Sequence, residues 1–193
     1  LANIQHSALT DPNLHEPKGA STALSNKVYV ANGSGSGSWK YIAGHSYGDL
    51  YITGSSVSQT LSAASALAKL NPTGAWVANG YQNITPSAAN GQFTILQGGI
   101  YQLDFWVVFE TAAIASTATY NFHYAVNGTA STRKVYGKKI TNNVDTLHLA
   151  SNGYSTLAAN DILTIQVGGD ATSSSTAIIV KEAGFSCLLI DPT

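Results

Sequence analysis

Charged side chains are what this sequence has least of. They make up 10% of its 193 residues, against roughly 25% in ordinary soluble domains. Nine are basic and ten acidic, so the formal net charge is -1. With so few Lys and Arg, no dense phosphate-neutralising stripe can be assembled, and no nucleic-acid partner is expected. There is one cysteine, Cys187, which excludes an internal disulfide and leaves stability to packing or assembly. Met is absent, first residue included, so the initiator lies upstream of residue 1 or has been removed by processing. Leu1 to Gly19 has neither the basic start nor the apolar stretch of a signal peptide. No apolar run approaches the roughly 20 residues of a membrane span, and no membrane insertion is expected. What the chain does have is ordinary apolar content, 44%, alongside much Ala, Ser, Thr, Gly and Asn. A core can form, and low net charge with this apolar fraction argues against wholesale disorder.

The material for an active site is thin. Asp104 and Glu110 lie on one expected strand, six residues and roughly 20 Å apart, beyond the 5–10 Å of paired carboxylates in a glycosidase, though either could meet an acid from another strand. The five histidines are His6, His15, His45, His123 and His148, and none shares the close spacing of a zinc or iron site. A cluster formed between subunits on a symmetry axis would leave no trace in the sequence. Ser is plentiful, but nothing resembles the Gly-x-Ser-x-Gly elbow of a serine hydrolase. Cys187 sits in the apolar, β-like run Gly184 to Ile190 and reads as a small buried hydrophobe. No enzymatic activity, cofactor or metal is therefore expected. Asn-x-Ser/Thr sequences at Asn32, Asn83 and Asn127 are what a chain rich in these residues contains by chance.

Residues 1–46 read differently from the rest. Asp11-Pro12, Glu16-Pro17 and the alternating Gly/Ser run from Gly33 to Ser38 break any long element. Leu1 to Leu9 is too short and too weakly patterned to fold alone, and reads as an arm ordered by what it lies on. Val28-Tyr29-Val30 and Trp39-Lys40-Tyr41-Ile42 are expected to pair as a short hairpin, with Asn32-Gly33 in the turn. A phosphate-binding glycine loop would need a following helix and a Lys-Ser/Thr ending, and neither is present. Residues 47–193 are expected to form an all-β body of eight to ten short antiparallel strands, a sandwich or jelly roll. Tyr101, Leu103, Phe105, Val107 and Phe109 alternate on one face of a long strand, as do Tyr120, Phe122, Tyr124 and Val126 on another. Asn127-Gly128 is the strongest hairpin signal, and Asn-Gly pairs at Asn79, Asn90 and Asn152 suggest further turns. Alanine-rich Leu61 to Leu70 could form a helix or run extended. Trp106, inside a strand, is expected in the core, whereas Trp76 sits in a loop-like setting. Some outward positions carry Trp, Val and Ala, and a sheet face of that kind is usually covered by a neighbour.

Two groups of motifs resemble known proteins. Asn3-Ile4-Gln5-His6-Ser7, Leu14 to Ala20 and Val28 to Trp39 resemble the N-terminal arms of tailed-bacteriophage head-fibre and capsid-decoration proteins. Tyr47 to Ile52, Gly98 to Leu103, Ala125 to Thr129 and Leu157-Ala158-Ala159-Asn160-Asp161-Ile162-Leu163 resemble the trimeric jelly rolls of tumour necrosis factor and complement's first component. In the last motif Asn160 stands where that superfamily usually has Gly, a replacement Asn permits because it tolerates left-handed backbone.

The resemblance implies a homotrimer on the virion surface. An arm containing Leu14, His15, Pro17 and Lys18 would anchor it to the major capsid protein or another virion protein, and the jelly roll would project outward. Low charge suits packing around a threefold axis without burying unpaired ions. The alternative is a receptor-binding fibre tip that recognises bacterial surface glycan through aromatics such as Trp76 or Tyr81.

Overall fold

The computed structural model describes residues 27–31, 33–34, 37–41, 45–62, 64, 66–113, 117–141, 143–174 and 176–192. The candidate anchoring residues Leu14, His15, Pro17 and Lys18 lie outside these. The chain order is β1 (Lys27–Ala31), β2 (Gly37–Tyr41), β3 (Tyr47–Ile52), β4 (Ser58–Thr60), β5 (Ala68–Lys69), β6 (Val77–Gln82) and β7 (Ile84–Ser87). There follow β8 (Gln92–Ile95), β9 (Gly99–Glu110), β10 (Ala118–Val126), β11 (Thr129–Lys139), β12 (Thr146–Leu157), β13 (Ile162–Gly169) and β14 (Ala177–Pro192). No α-helix occurs among the described residues.

The described residues fall into two units, one holding β1 and β2 and the other β3 to β14. In the first, β1 and β2 pair antiparallel from Lys27↔Tyr41 to Ala31↔Gly37. This is the expected hairpin. Tyr29 and Trp39 sit opposite each other in that register, their rings edge to face at 5.5 Å.

The second unit is a sandwich of two antiparallel sheets. One has the order β11-β10-β13-β8-β7, with β5 added on β13; the other has β12-β9-β14-β3-β6, with β4 added on β14. Eight strands make the frame: β3 and β8 to β14. The first pairs with the last (β3 with β14), the second with the seventh (β8 with β13), the third with the sixth (β9 with β12) and the fourth with the fifth (β10 with β11). That nested pairing, wrapped into two sheets, is a jelly roll.

Strand alternation dictates what the sheets enclose, because successive side chains point to opposite faces. Tyr101, Leu103, Phe105, Val107 and Phe109 of β9 are buried, as are Tyr120, Phe122 and Tyr124 of β10. Phe122 from one sheet meets Phe105 and Phe109 from the other at 5.7 and 5.3 Å, and Phe93 of β8 meets Phe185 of β14 at 4.9 Å. These ring pairs lock the two layers together beyond their simple burial.

One open alternative is decided and two local expectations are corrected. Leu61 to Leu70 forms no helix in its described residues: Ala68 and Lys69 pair with Val167 and Gln166 of β13, and Leu61 and Leu70 plug the core. Burial of the two leucines outweighs the high helix propensity of alanine, since propensity yields to tertiary packing. Of the Asn-Gly pairs, Asn127-Gly128 turns a hairpin with φ of +51° and +81°, whereas Asn79-Gly80 and Asn152-Gly153 run inside β6 and β12. Trp106 is 43% exposed, since it occupies an even position of β9 and so faces away from Phe105 and Val107.

Candidate self-association surface

The outer face of the β12-β9-β14-β3-β6 sheet collects side chains that the alternation turns away from the core. Trp106, Tyr154, Leu188, Tyr47 and Val77 all stand on it with more than a third of their surface open. Trp106 leans over β14 at Gly184. A Cβ there would come within 2.1 Å of the indole nitrogen, so glycine is what allows the ring to lie close to the strand. Shallow hollows of about 450 and 410 Å³ flank the indole: one is lined by Asp104, Ser151 and Asn152, the other by Asp49, Tyr51, Asn79 and Glu182.

The charges on this face are acidic. Ser186 of β14 pairs in register with Asp104 of β9 on one side and with Asp49 of β3 on the other. The two aspartates therefore flank a small residue in one row across three strands, about 10 Å apart at the usual strand spacing. Asp49 accepts a hydrogen bond from Asn79 Nδ2 at 3.0 Å, and Asp104 one from Gln102 Nε2 at 3.1 Å. Lys181 is taken by Glu110 at 3.1 Å. Neither aspartate has a cation partner among the described residues.

No family model matches the chain, and no curated protein matches it in sequence. Among solved structures, Eiger TNF from S. frugiperda is similar over 75% of this chain and 93% of its own, at 8% identity and a TM-score of 0.48. The globular domain of zebrafish complement 1qA is similar over 77% of this chain and 99% of its own, at 15% identity and a TM-score of 0.45. The jelly-roll assignment rests on the nested strand pairing described above.

The two aromatics expected to be available to a glycan separate. Trp76 is 4% exposed and its indole N–H donates to the Leu70 carbonyl at 3.1 Å, so it is a core residue with no open stacking face. The loop-like Asn71 to Ala75 stretch before it misled, because a turn beside a sheet can still deliver its last side chain inward. Tyr81 is 57% exposed on β6, the edge strand of its sheet, opposite Gly48 and so turned away from the outer face. Cys187 is buried and free, and burial pushes its thiol up to about 12, the condition of an inert structural cysteine. Burial likewise raises the phenols of Tyr101 and Tyr124 above their ordinary range. The Tyr124 hydroxyl reaches the carbonyls of Leu103 at 3.1 Å and Ser151 at 2.8 Å, tying β10 to the opposite sheet. Among the described residues no group of three or more His, Cys, Asp or Glu could hold a metal ion.

Sequence reasoning missed the Asp49-Ser186-Asp104 row. Its members are far apart in the chain and come together only through the β9-β14-β3 register, which no local pattern specifies. Trp106 did carry a signal: its even position in the alternation of β9 already opposed it to the apolar odd face.

Proposed function

We propose that this protein is a non-enzymatic structural protein of a tailed-bacteriophage virion that assembles as a homotrimer on the capsid surface. Residues 1–46 anchor it, through Leu14, His15, Pro17 and Lys18, to the major capsid protein or another virion protein, and the jelly roll projects outward. The observation that carries self-association is the outer sheet face, where Trp106, Tyr154, Leu188 and Tyr47 are left partly open on strands that are otherwise well packed. A run of such side chains on one face marks a surface that another protein covers. The virion location is supported by the resemblance of the N-terminal motifs to head-fibre arms.

Light scattering at micromolar concentration tests the assembly: a mass near three times the 20.1 kDa chain is expected, and a monomer overturns it. Deleting residues 1–25 tests the anchor. The shortened chain should still assemble but disappear from purified virions, and unchanged incorporation refutes anchoring. A second reading, a fibre tip that binds bacterial surface glycan, is supported by the openness of Tyr81. A glycan array decides it: selective binding that Tyr81→Ala abolishes supports the tip, and a blank array rejects it.

A further inference from the structure

The outer face just described needs a partner that is apolar and positively charged, and the chain carries such a surface elsewhere. On β11, the register Asn121↔Tyr136 and His123↔Lys134 against β10 turns Lys134, Tyr136 and Lys138 away from the buried Tyr120, Phe122 and Tyr124. Ile140 continues the same alternation just past the strand. Tyr136 is 63% and Ile140 70% exposed, among the most open large apolar residues described. β11 is the last strand of its sheet, so nothing pairs with its free edge. β10 and β11 contain no Asp or Glu, and Lys134 and Lys138 have no ion-pair partner among the described residues.

The two surfaces match in charge and in spacing. Lys134 and Lys138 stand four residues apart, about 13 Å along a strand, and Asp104 and Asp49 stand about 10 Å apart across two strand spacings. The flexible lysine stems can absorb that difference. Between the lysines is a large residue, Tyr136; between the aspartates is a small one, Ser186. The stripe and the row lie on opposite outer faces of the sandwich, so they cannot meet within one copy.

Resting on the proposed self-assembly, we infer that the Lys134-Tyr136-Lys138 stripe of one copy docks on the Asp104-Ser186-Asp49 row of the next. Such a contact joins two different patches, and repetition of it closes a ring when the rotation between copies allows. Each copy then contributes one stripe and one row, and no docking residue is left unpaired. The competing account is that Lys134 and Lys138 only guard an exposed edge strand against aggregation. In that case their sign is immaterial, because glutamates guard an edge equally well.

The experiment uses the full chain. Lys134→Glu/Lys138→Glu and Asp49→Lys/Asp104→Lys are each expected to raise the concentration at which the assembly dissociates on the order of a hundredfold. The four-residue variant combining both sets is expected to return to the wild-type state, which also shows that neither pair of changes prevents folding. Dissociation of the wild type, measured by sedimentation, should rise about tenfold between low salt and 1 M NaCl, because partly exposed ion pairs are screened. A wild-type trimer indifferent to both reversals and to salt overturns this contact while leaving trimerisation intact. So does a combined variant that stays dissociated. A wild-type monomer removes the self-assembly reading on which it rests.

Discussion

Replacing Asp161 by alanine should cost the jelly roll about 2 kcal/mol. Asp161 ends the turn between β12 and β13 and fastens it to the β10–β11 hairpin. One carboxylate oxygen accepts from Asn127 Nδ2 at 2.8 Å and the other from the Ala158 amide at 2.7 Å. Asn127 reciprocates by accepting from the Ile162 amide at 2.9 Å, and its own amide donates to the Ile162 carbonyl at 2.8 Å. Hydrogen bonds to charged groups are worth about 1.5–3 kcal/mol in favourable settings. These are exposed, so about 1 kcal/mol each is the appropriate scale for the two that Asp161→Ala removes. With a urea m-value of about 2 kcal/mol/M, the unfolding midpoint falls by about 1 M. Asn127→Ala should cost at least as much, since it loses both side-chain bonds and puts alanine at φ +51°, a left-handed conformation that costs about 1–2 kcal/mol. The double variant should be less damaging than the sum by about 1 kcal/mol, the part carried by the shared bond. Urea unfolding followed by tryptophan fluorescence, at one fixed protein concentration because any self-association shifts the midpoint, reads all three. A midpoint within 0.2 M of wild type for Asp161→Ala, or strict additivity in the double variant, would refute the reasoning.

Gly91→Ala should destabilise by several kcal/mol: the residue has φ +55° and an added Cβ would fall 2.6 Å from the Trp76 indole nitrogen and 3.0 Å from the Leu70 carbonyl. Calorimetry checks this, and an unchanged melting temperature contradicts the packing. Asp170 is partly desolvated, which alone would raise its pKa, but bonds from the Ser173 and Thr119 amides and the Ser173 hydroxyl prevail and hold it below the ordinary carboxylate value. A depressed folded-state pKa gives stability that is present above the unfolded value of about 3.9 and lost as pH falls through the folded one. The stability gap between wild type and Asp170→Asn should therefore be full at neutral pH and shrink below about pH 4; a gap constant down to pH 2 rejects the assignment. Cys187 should resist iodoacetamide in the native protein at pH 8 and react once unfolded, as mass spectrometry would show. Rapid native labelling would mean the thiol is not buried.

How much could be read in advance depended on the range of the interactions involved. The alternation at Tyr101 to Phe109 and at Tyr120 to Val126 was legible because period-two patterning is local, and it located the core strands. Asn127-Gly128 was legible as a turn because both residues tolerate positive φ. The same dipeptide at Asn152 was not a turn, and the reason lies across the sandwich. A Cβ at Gly153 would strike the Arg133 guanidinium at 1.8 Å, so the glycine makes room for a side chain from the other sheet. Lys139 is a comparable case. It is fully buried, its ammonium donating to the Thr141 and Asn143 carbonyls, and no local pattern marks a lysine for the interior. Trp76 was misplaced for the same reason: its burial depends on Leu70 and Gly91, which only the folded chain brings together. The Asp49-Ser186-Asp104 row required two registers at once, β9 with β14 and β14 with β3.

The nested pairing of the frame strands also sets an order of events in time. β3 begins at residue 47, and its frame partner β14 ends at residue 192. β14 lies between β9 and β3, so the second sheet has no centre until β14 has left the ribosome. At roughly 5–20 residues per second, β3 waits several seconds or more for its neighbour, and contacts this distant in sequence also slow the search once β14 has emerged. The β1–β2 hairpin, whose contacts are all local, can form long before. A chain cut short before residue 177 would lose the strand that joins β9 to β3, and with it the surface on which Asp49 and Asp104 are aligned. Placement of β14 thus acts as a checkpoint for the docking inferred above, because the row that it would use exists only once that strand is in the sheet.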